Sequence, residues 1–167
     1  ILISAHSVGS LLTMEMLGEL VARHGRSGLS RISAVALLSP DIDVDVFRRQ
    51  AEKIAPLPQP FIVFTSTRDK ALRVSAKLSS DQERLGSVRN PARLDDLDVT
   101  FIDTTAFAES GDMNHLTAVT SPEVLAFLQE IGSVQDLLDG DTSVNSGVVA
   151  GTVDYFQNAT EVVLSAN

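Results

Sequence analysis

The stretch ILISAHSVG (residues 1–9) decides the fold, because a short apolar run ends abruptly at a serine set between small residues. Ile1 to Ser4 is a β-branched run that predicts a buried parallel strand. The residues that follow, as far as Val21, place apolar side chains at helical spacing, and His24-Gly25 is typical of a helix end. The sequence therefore predicts a tight strand-to-helix turn that exposes the hydroxyl of Ser7, with Ala5 and Gly9 small enough to avoid clashes.

Further apolar runs of strand character alternate with predicted helices along the chain. The alternation occurs four times in all, which predicts a parallel sheet with crossover helices on its faces, an α/β fold. The further strands are ISAVALL (32–38), FIVF (61–64) and VTFI (99–102), and the further helices are predicted at 46–55, 70–78 and 121–131.

Two regions differ in character. We interpret residues 1–131 as a partial α/β domain and residues 132–167 as a C-terminal tail, which is either flexible or a strand added elsewhere. The chain opens inside a strand, and a sheet left open beside Ile1 to Ser4 would expose an apolar edge. We therefore expect either a preceding segment or another chain to cover that edge.

Composition excludes several classes of function. The 167 residues include 13 Lys and Arg against 22 Asp and Glu, a net charge of −9, which argues against a nucleic-acid binder. The absence of cysteine removes disulfides, thiolate zinc sites and a cysteine nucleophile. No apolar run reaches the roughly 18 residues that a membrane span needs. No His, Asp or Glu cluster has ligand spacing, so we expect neither a metal nor another cofactor.

Three segments resemble a known superfamily, the α/β-hydrolases. They are AHSVG (5–9), LLSPDID (37–43) and NHLTAVTSPEVL (114–125). Within the superfamily the chain is similar to a bacterial family of predicted, largely uncharacterised serine hydrolases, and it resembles only the C-terminal half of that fold. The resemblance covers residues 1–131 and implies hydrolysis by a serine. One departure is Ala5, where the commoner motif has glycine.

A serine triad needs an imidazole base and a buried carboxylate, and this fold carries them in the chain order serine, acid, histidine. Ser7 is the candidate nucleophile, and the backbone N–H of Val8 is the candidate oxyanion donor. We predict His115 as the base, because it follows the last strand of the hydrolase region and precedes the final helix. His6 points away from the turn, and His24 lies at a helix end.

The acid has three candidates. Asp69 follows the strand FIVF at the sheet edge where ligand chemistry collects, so we expect it to orient His115. As an N-cap of the helix from Lys70, it would instead direct its carboxylate at its own helix. Asp43 and Asp41, which follow the preceding strand, are the alternatives.

These residues predict a serine hydrolase that acts on an ester or related acyl bond of a small molecule. Acyl transfer uses the same triad. The alternative is a catalytically silent hydrolase-like domain that serves binding or assembly.

Overall fold

The computed structural model describes residues 1–79, 82–105 and 122 and the backbone of two strands further on. Three short 3₁₀ helices, at Gly25–Leu29, Leu85–Ser87 and Pro91–Leu97, connect the main elements. The strands are β1 (Leu2–His6), β2 (Ala34–Leu38), β3 (Phe61–Thr65), β4 (Thr100–Asp103), β5 (Val153–Tyr155) and β6 (Glu161–Leu164), and the helices are α1 (Gly9–His24), α2 (Val44–Ile54) and α3 (Lys70–Leu78).

The strands form one sheet in the order β1-β2-β3-β4-β6-β5. Each of the strands β1 to β4 is parallel to its neighbour in the sheet. Helix α1 connects β1 to β2, α2 connects β2 to β3, and α3 lies between β3 and β4. The predicted α/β class, a parallel sheet with crossover helices, is confirmed. The helix predicted at 121–131 lies outside the described residues, except Pro122, which is helical.

The region beyond residue 132 adds two strands to the four that the sequence predicts. Strand β6 pairs parallel to β4, and β5 pairs antiparallel to β6 at the edge. They have four and three residues and lie in a tail rich in Gly, Ser and Thr, so they do not stand out from the sequence. Short runs carry too few positions for the alternation of apolar and polar residues to be seen.

The main hydrophobic core lies between the sheet and the pair α1 and α2. Met14 and Leu17 of α1 and Phe47 of α2 are fully buried against the face of the sheet that presents Val35 and Phe61. The opposite face is buried too, as the 0–3% exposure of Ala36, Leu38, Ile62, Phe64 and Ile102 shows. Burial on both faces is characteristic of parallel sheets with crossover helices.

Strand β1 is the exception. Every residue of β2 and β3 is buried, whereas β1 has no buried residue, and Ile1 and Leu2 are 66% and 44% exposed. The difference follows from position, because β1 is an edge strand of the described sheet and pairs only with β2.

Candidate active site

The register of the parallel strands brings four chain segments to one edge of the sheet. His6 pairs with Leu38, Leu38 with Phe64, and Phe64 with Ile102, so the carboxyl ends of β1 to β4 finish level with one another. In parallel sheets with crossover helices, ligand chemistry collects beyond this edge. The turn at Ser7 and the loops that begin at residues 39, 66 and 104 therefore lie side by side.

Ser7 occupies a strained turn between β1 and α1. Its φ is +54°, in the left-handed region that residues with a Cβ seldom adopt. Its N–H donates to the carbonyl of Leu38 (3.0 Å), and its own carbonyl accepts from the N–H groups of Ser10 (3.0 Å) and Asp41 (3.2 Å). The sharp turn predicted from AHSVG is thus present, and hydrogen bonds from both β2 and α1 hold it.

Val8 comes directly before the first residue of α1 and is 54% exposed. Its backbone is already helical, with φ −60° and ψ −25°. The first N–H groups of a helix lack partners within the helix and carry the positive end of its dipole. The N–H of Val8 therefore lies at the end of α1 that favours negative charge, beside the Ser7 turn.

Gly9 is not sterically crowded, contrary to what the sequence predicts. The sequence argument requires a small residue here to avoid a clash, but a Cβ built on Gly9 meets no atom of the described residues within 4 Å. The close approach occurs instead at Gly86, where a Cβ would lie 2.7 Å from backbone atoms of Ser39 and Pro40.

Asp69 is fully buried at the turn that follows β3. It is the N-cap of α3, because its Oδ1 accepts the N–H of Leu72 at 3.0 Å. A carboxylate has two oxygens and about four lone-pair sites. The N-cap that the sequence offers as the alternative role of Asp69 is thus present, and it engages one of those lone-pair sites.

The alternative acids both hold structural positions. Asp43 caps α2, since its Oδ1 accepts the N–H groups of Asp45 and Val46 at 3.0 Å each. Asp41 accepts the hydroxyl of Ser75 on both carboxylate oxygens, at 2.8 and 2.9 Å, and its Oδ1 lies 3.2 Å from Nε of Arg84.

The candidate base, His115, lies outside the described residues. His6 ends β1 and is half-buried, and His24 is the last residue of α1, where Gly25 follows with φ +61°. His24 therefore lies at a helix end, and His6 lies on the strand before the turn, as the sequence predicts.

The segment Glu83–Ser87 crosses the loops after β2 and β3, and the sequence reasoning missed it. The N–H groups of Leu85 and Gly86 donate to the carbonyls of Ile42 (2.8 Å) and Pro40 (2.9 Å), and the carbonyl of Gly86 accepts from Ser66 (2.8 Å). Contacts of this kind join backbone groups far apart in the chain and leave no residue pattern. The one signal was Gly86, within a polar stretch that reads as loop.

The groups with clearly shifted pKa values among the described residues, Arg48 and Asp96, lie away from this edge. Arg48 donates two hydrogen bonds to the carboxylate of Asp96, at 2.8 and 2.9 Å. These bonds lower the pKa of Asp96 and raise that of Arg48. The Arg48 side chain is partly exposed and that of Asp96 is exposed, and the pair joins α2 to the 3₁₀ helix Pro91–Leu97 on the surface.

Across residues 1–79 and 82–105, no group of three or more His, Asp or Glu side chains is arranged to hold a metal ion. Among the helices that the structure describes, none combines the length and apolar character that crossing a membrane requires.

One comparison with known proteins gives a match. The model of the family described as "Alpha/beta hydrolase of unknown function (DUF900)" matches residues 1–133. No curated protein and no solved structure matches the chain.

Proposed function

The chain belongs to this family of alpha/beta hydrolases, which indicates hydrolase activity, and from that premise we propose that it cleaves an ester or related acyl bond with Ser7 as nucleophile. The observation that carries the proposal is the left-handed backbone of Ser7 between β1 and α1. Strained backbone of this kind persists only where surrounding structure holds it, and it clusters at active sites.

In the proposed reaction, the Ser7 hydroxyl oxygen attacks the acyl carbon while His115 accepts its proton; the bond from the acyl carbon to the leaving group then breaks, and His115 gives the proton to that group. Water, losing a proton to His115, next attacks the acyl carbon, and the bond to Ser7 breaks as the proton returns to the serine oxygen. The N–H of Val8 stabilises the oxyanion at the positive end of α1. Asp69 holds the imidazole in the tautomer that can accept this proton.

Asp69 is favoured over its rivals because the acid of a triad is buried and accepts a hydrogen bond from the histidine. Asp69 is fully buried, whereas the Asp41 side chain is 17% exposed and faces the guanidinium of Arg84. Asp43 is a helix cap like Asp69, and its exposure of 9% is what distinguishes it from the fully buried Asp69. The loop after β3 is also separated from Ser7 by the width of β2, about 10 Å between strand axes. A bridging histidine fits such a gap.

The test is covalent labelling of the full-length protein by a fluorophosphonate probe. We expect labelling of the natural chain and none of Ser7→Ala. Ser39→Ala is the matched control, because Ser39 is also a serine with positive φ, +45°, at the end of the neighbouring strand. No labelling of a folded sample, with partner binding retained in Ser7→Ala, would instead support the silent binding domain.

The acid is assigned by the same assay. Asp69→Asn should slow labelling strongly, by as much as about 10⁴-fold in the serine protease precedent for a triad aspartate. Asp41→Asn and Asp43→Asn should slow it less. His115→Ala should slow labelling as much as Asp69→Asn, and the rate in the natural chain should rise with pH through the usual histidine pKa of about 6.5. A larger loss in Asp43→Asn than in Asp69→Asn would reassign the acid.

A further inference from the structure

We propose that Arg84 and Asp41 are positioning residues of the hydrolytic site, because their ion pair fixes the loop that holds the backbone of Ser7. The inference rests on the proposed function and deepens it. Both residues act on the position of Ser7 through the loop after β2 and do not contact the substrate.

The loop after β2, residues 39–42, forms a direct hydrogen bond with the backbone of the nucleophile. The N–H of Asp41 donates to the carbonyl of Ser7 at 3.2 Å. A residue held in a left-handed conformation depends on such external bonds. A shift of residues 39–42 therefore moves the Ser7 turn directly.

Backbone and side-chain contacts hold this loop in place. The backbone carbonyls of Pro40 and Ile42 accept hydrogen bonds from the N–H groups of Gly86 (2.9 Å) and Leu85 (2.8 Å). The side chain of Asp41 forms an ion pair, with its Oδ1 3.2 Å from Nε of Arg84. The loop is thus attached to the Glu83–Ser87 segment by two backbone bonds and one ion pair.

The ion pair is well shielded from solvent. The Arg84 side chain is 10% exposed and that of Asp41 is 17% exposed. The Nε–H of Arg84 forms no aligned hydrogen bond within the described residues, so the attraction is chiefly one of charge. The terminal nitrogen of the same guanidinium donates to the carbonyl of Ser75 at 3.4 Å, and the Ser75 hydroxyl donates to Asp41. Asp41, Ser75 and Arg84 therefore close one ring of contacts.

The segment Glu83–Ser87 also contacts the turn that carries the proposed acid. The N–H of Ser66 donates to the carbonyl of Gly86 at 2.8 Å, and the N–H of Asp69 donates to the carbonyl of Ser66 at 3.3 Å. One segment consequently touches the loop that fixes Ser7 and the turn that carries Asp69. It sets the spacing between the two groups that a bridging histidine must span.

The experiment compares three variants of the full-length protein. Arg84→Met removes the charge and keeps most of the volume, and Arg84→Lys keeps the charge. Arg93→Met is the matched control, because Arg93 pairs with Glu83 (3.2 Å) and Asp45 (3.4 Å) on the exposed side of the same segment. Rates of fluorophosphonate labelling, and kcat and KM for a p-nitrophenyl ester, are measured per folded molecule.

We expect Arg84→Met to lower the labelling rate and kcat by about 10- to 100-fold, the size of effect that a displacement near 1 Å produces, with KM little changed. Arg84→Lys should recover most of the loss, and Arg93→Met should behave like the natural chain. If Arg84→Met fails to fold, Ser75→Ala replaces it, since this change removes only the hydroxyl that Asp41 accepts. Wild-type rates in Arg84→Met, or an equal loss in Arg93→Met, would overturn the inference.

Failure of the proposed function would look different, because the natural chain itself would not label. In that case, amide hydrogen exchange of Ser7 and Asp41 tests whether Arg84 holds the loop and the Ser7 turn in place. We expect Arg84→Met to speed exchange at both amides and Arg93→Met to leave it unchanged. Unchanged exchange in Arg84→Met would refute the positioning role.

Discussion

Replacing Ser7 by glycine should stabilise the protein relative to replacing it by alanine. Both changes remove the hydroxyl, so they differ only in the Cβ that must sit at a φ of +54°. For a residue with a Cβ, the left-handed conformation costs about 1–2 kcal/mol. Glycine avoids that cost but loses about 0.5–1 kcal/mol more conformational entropy on folding. We therefore expect Ser7→Gly to be more stable than Ser7→Ala by about 0–1.5 kcal/mol.

The control is a second alanine-to-glycine comparison where the backbone is unstrained. Ala22 is exposed in α1, and Ala22→Gly should destabilise by about 1 kcal/mol. Because the entropy of glycine enters both comparisons, the difference between them isolates the left-handed cost at Ser7. That difference should be about 1–2 kcal/mol.

Urea denaturation with equal m-values gives both quantities. A loss of about 1 kcal/mol from Ser7→Ala to Ser7→Gly, equal to the loss at Ala22, would mean that the turn stores no strain. The reasoning that links the backbone of Ser7 to a catalytic role would then be refuted.

Three further predictions concern stability and charge. Gly86→Ala should destabilise by about 1–3 kcal/mol in urea denaturation, because its Cβ would lie 2.7 Å from backbone after β2, whereas Gly9→Ala should not destabilise; equal effects would contradict this. Asp43→Ala should cost about 1–2 kcal/mol of unfolding free energy while labelling of the serine persists, and unchanged stability would count against the cap. Arg48→Met should raise the pKa of Asp96 toward its ordinary value in an NMR titration, because the lowered pKa reflects the arginine. The stabilisation from Asp96 is present above its unfolded pKa and fades as pH falls through the folded one, so the variant should lose that acid dependence; an unshifted titration would contradict it.

Much of the fold follows from local sequence. The helix predicted at residues 70–78 has the observed bounds Lys70–Leu78, since Asp69 caps its beginning and the apolar residues inside it have helical spacing. Strands β2 and β3 are recognisable because both of their faces are buried, which selects continuous apolar runs. Helix α2 begins at Val44, two residues before the predicted Val46, because the Asp43 cap lies outside the apolar pattern.

The candidate site was predictable only in part. AHSVG predicts a tight turn at Ser7, because five consecutive residues determine the geometry of such a turn. The same residues do not show that Asp41 and Leu38 supply the hydrogen bonds that hold the turn, or that Arg84 lies behind Asp41. Those contacts join residues 31 to 43 positions apart. Whether such residues meet depends on the distance and direction between them in the folded chain, and the local sequence does not contain that information.

The balance of energies at Ser7 explains why the distant contacts matter. The left-handed turn costs about 1–2 kcal/mol. Three backbone hydrogen bonds, with Leu38, Ser10 and Asp41, contribute about 1 kcal/mol each. The Ser10 bond belongs to α1, so two of the three depend on β2 and the loop after it. With both of those bonds lost, the remaining bond of about 1 kcal/mol at most balances the strain, and no net stabilisation of the turn is left. The motif alone therefore does not hold the nucleophile in place, and the neighbouring strand and its loop are part of the machinery that does.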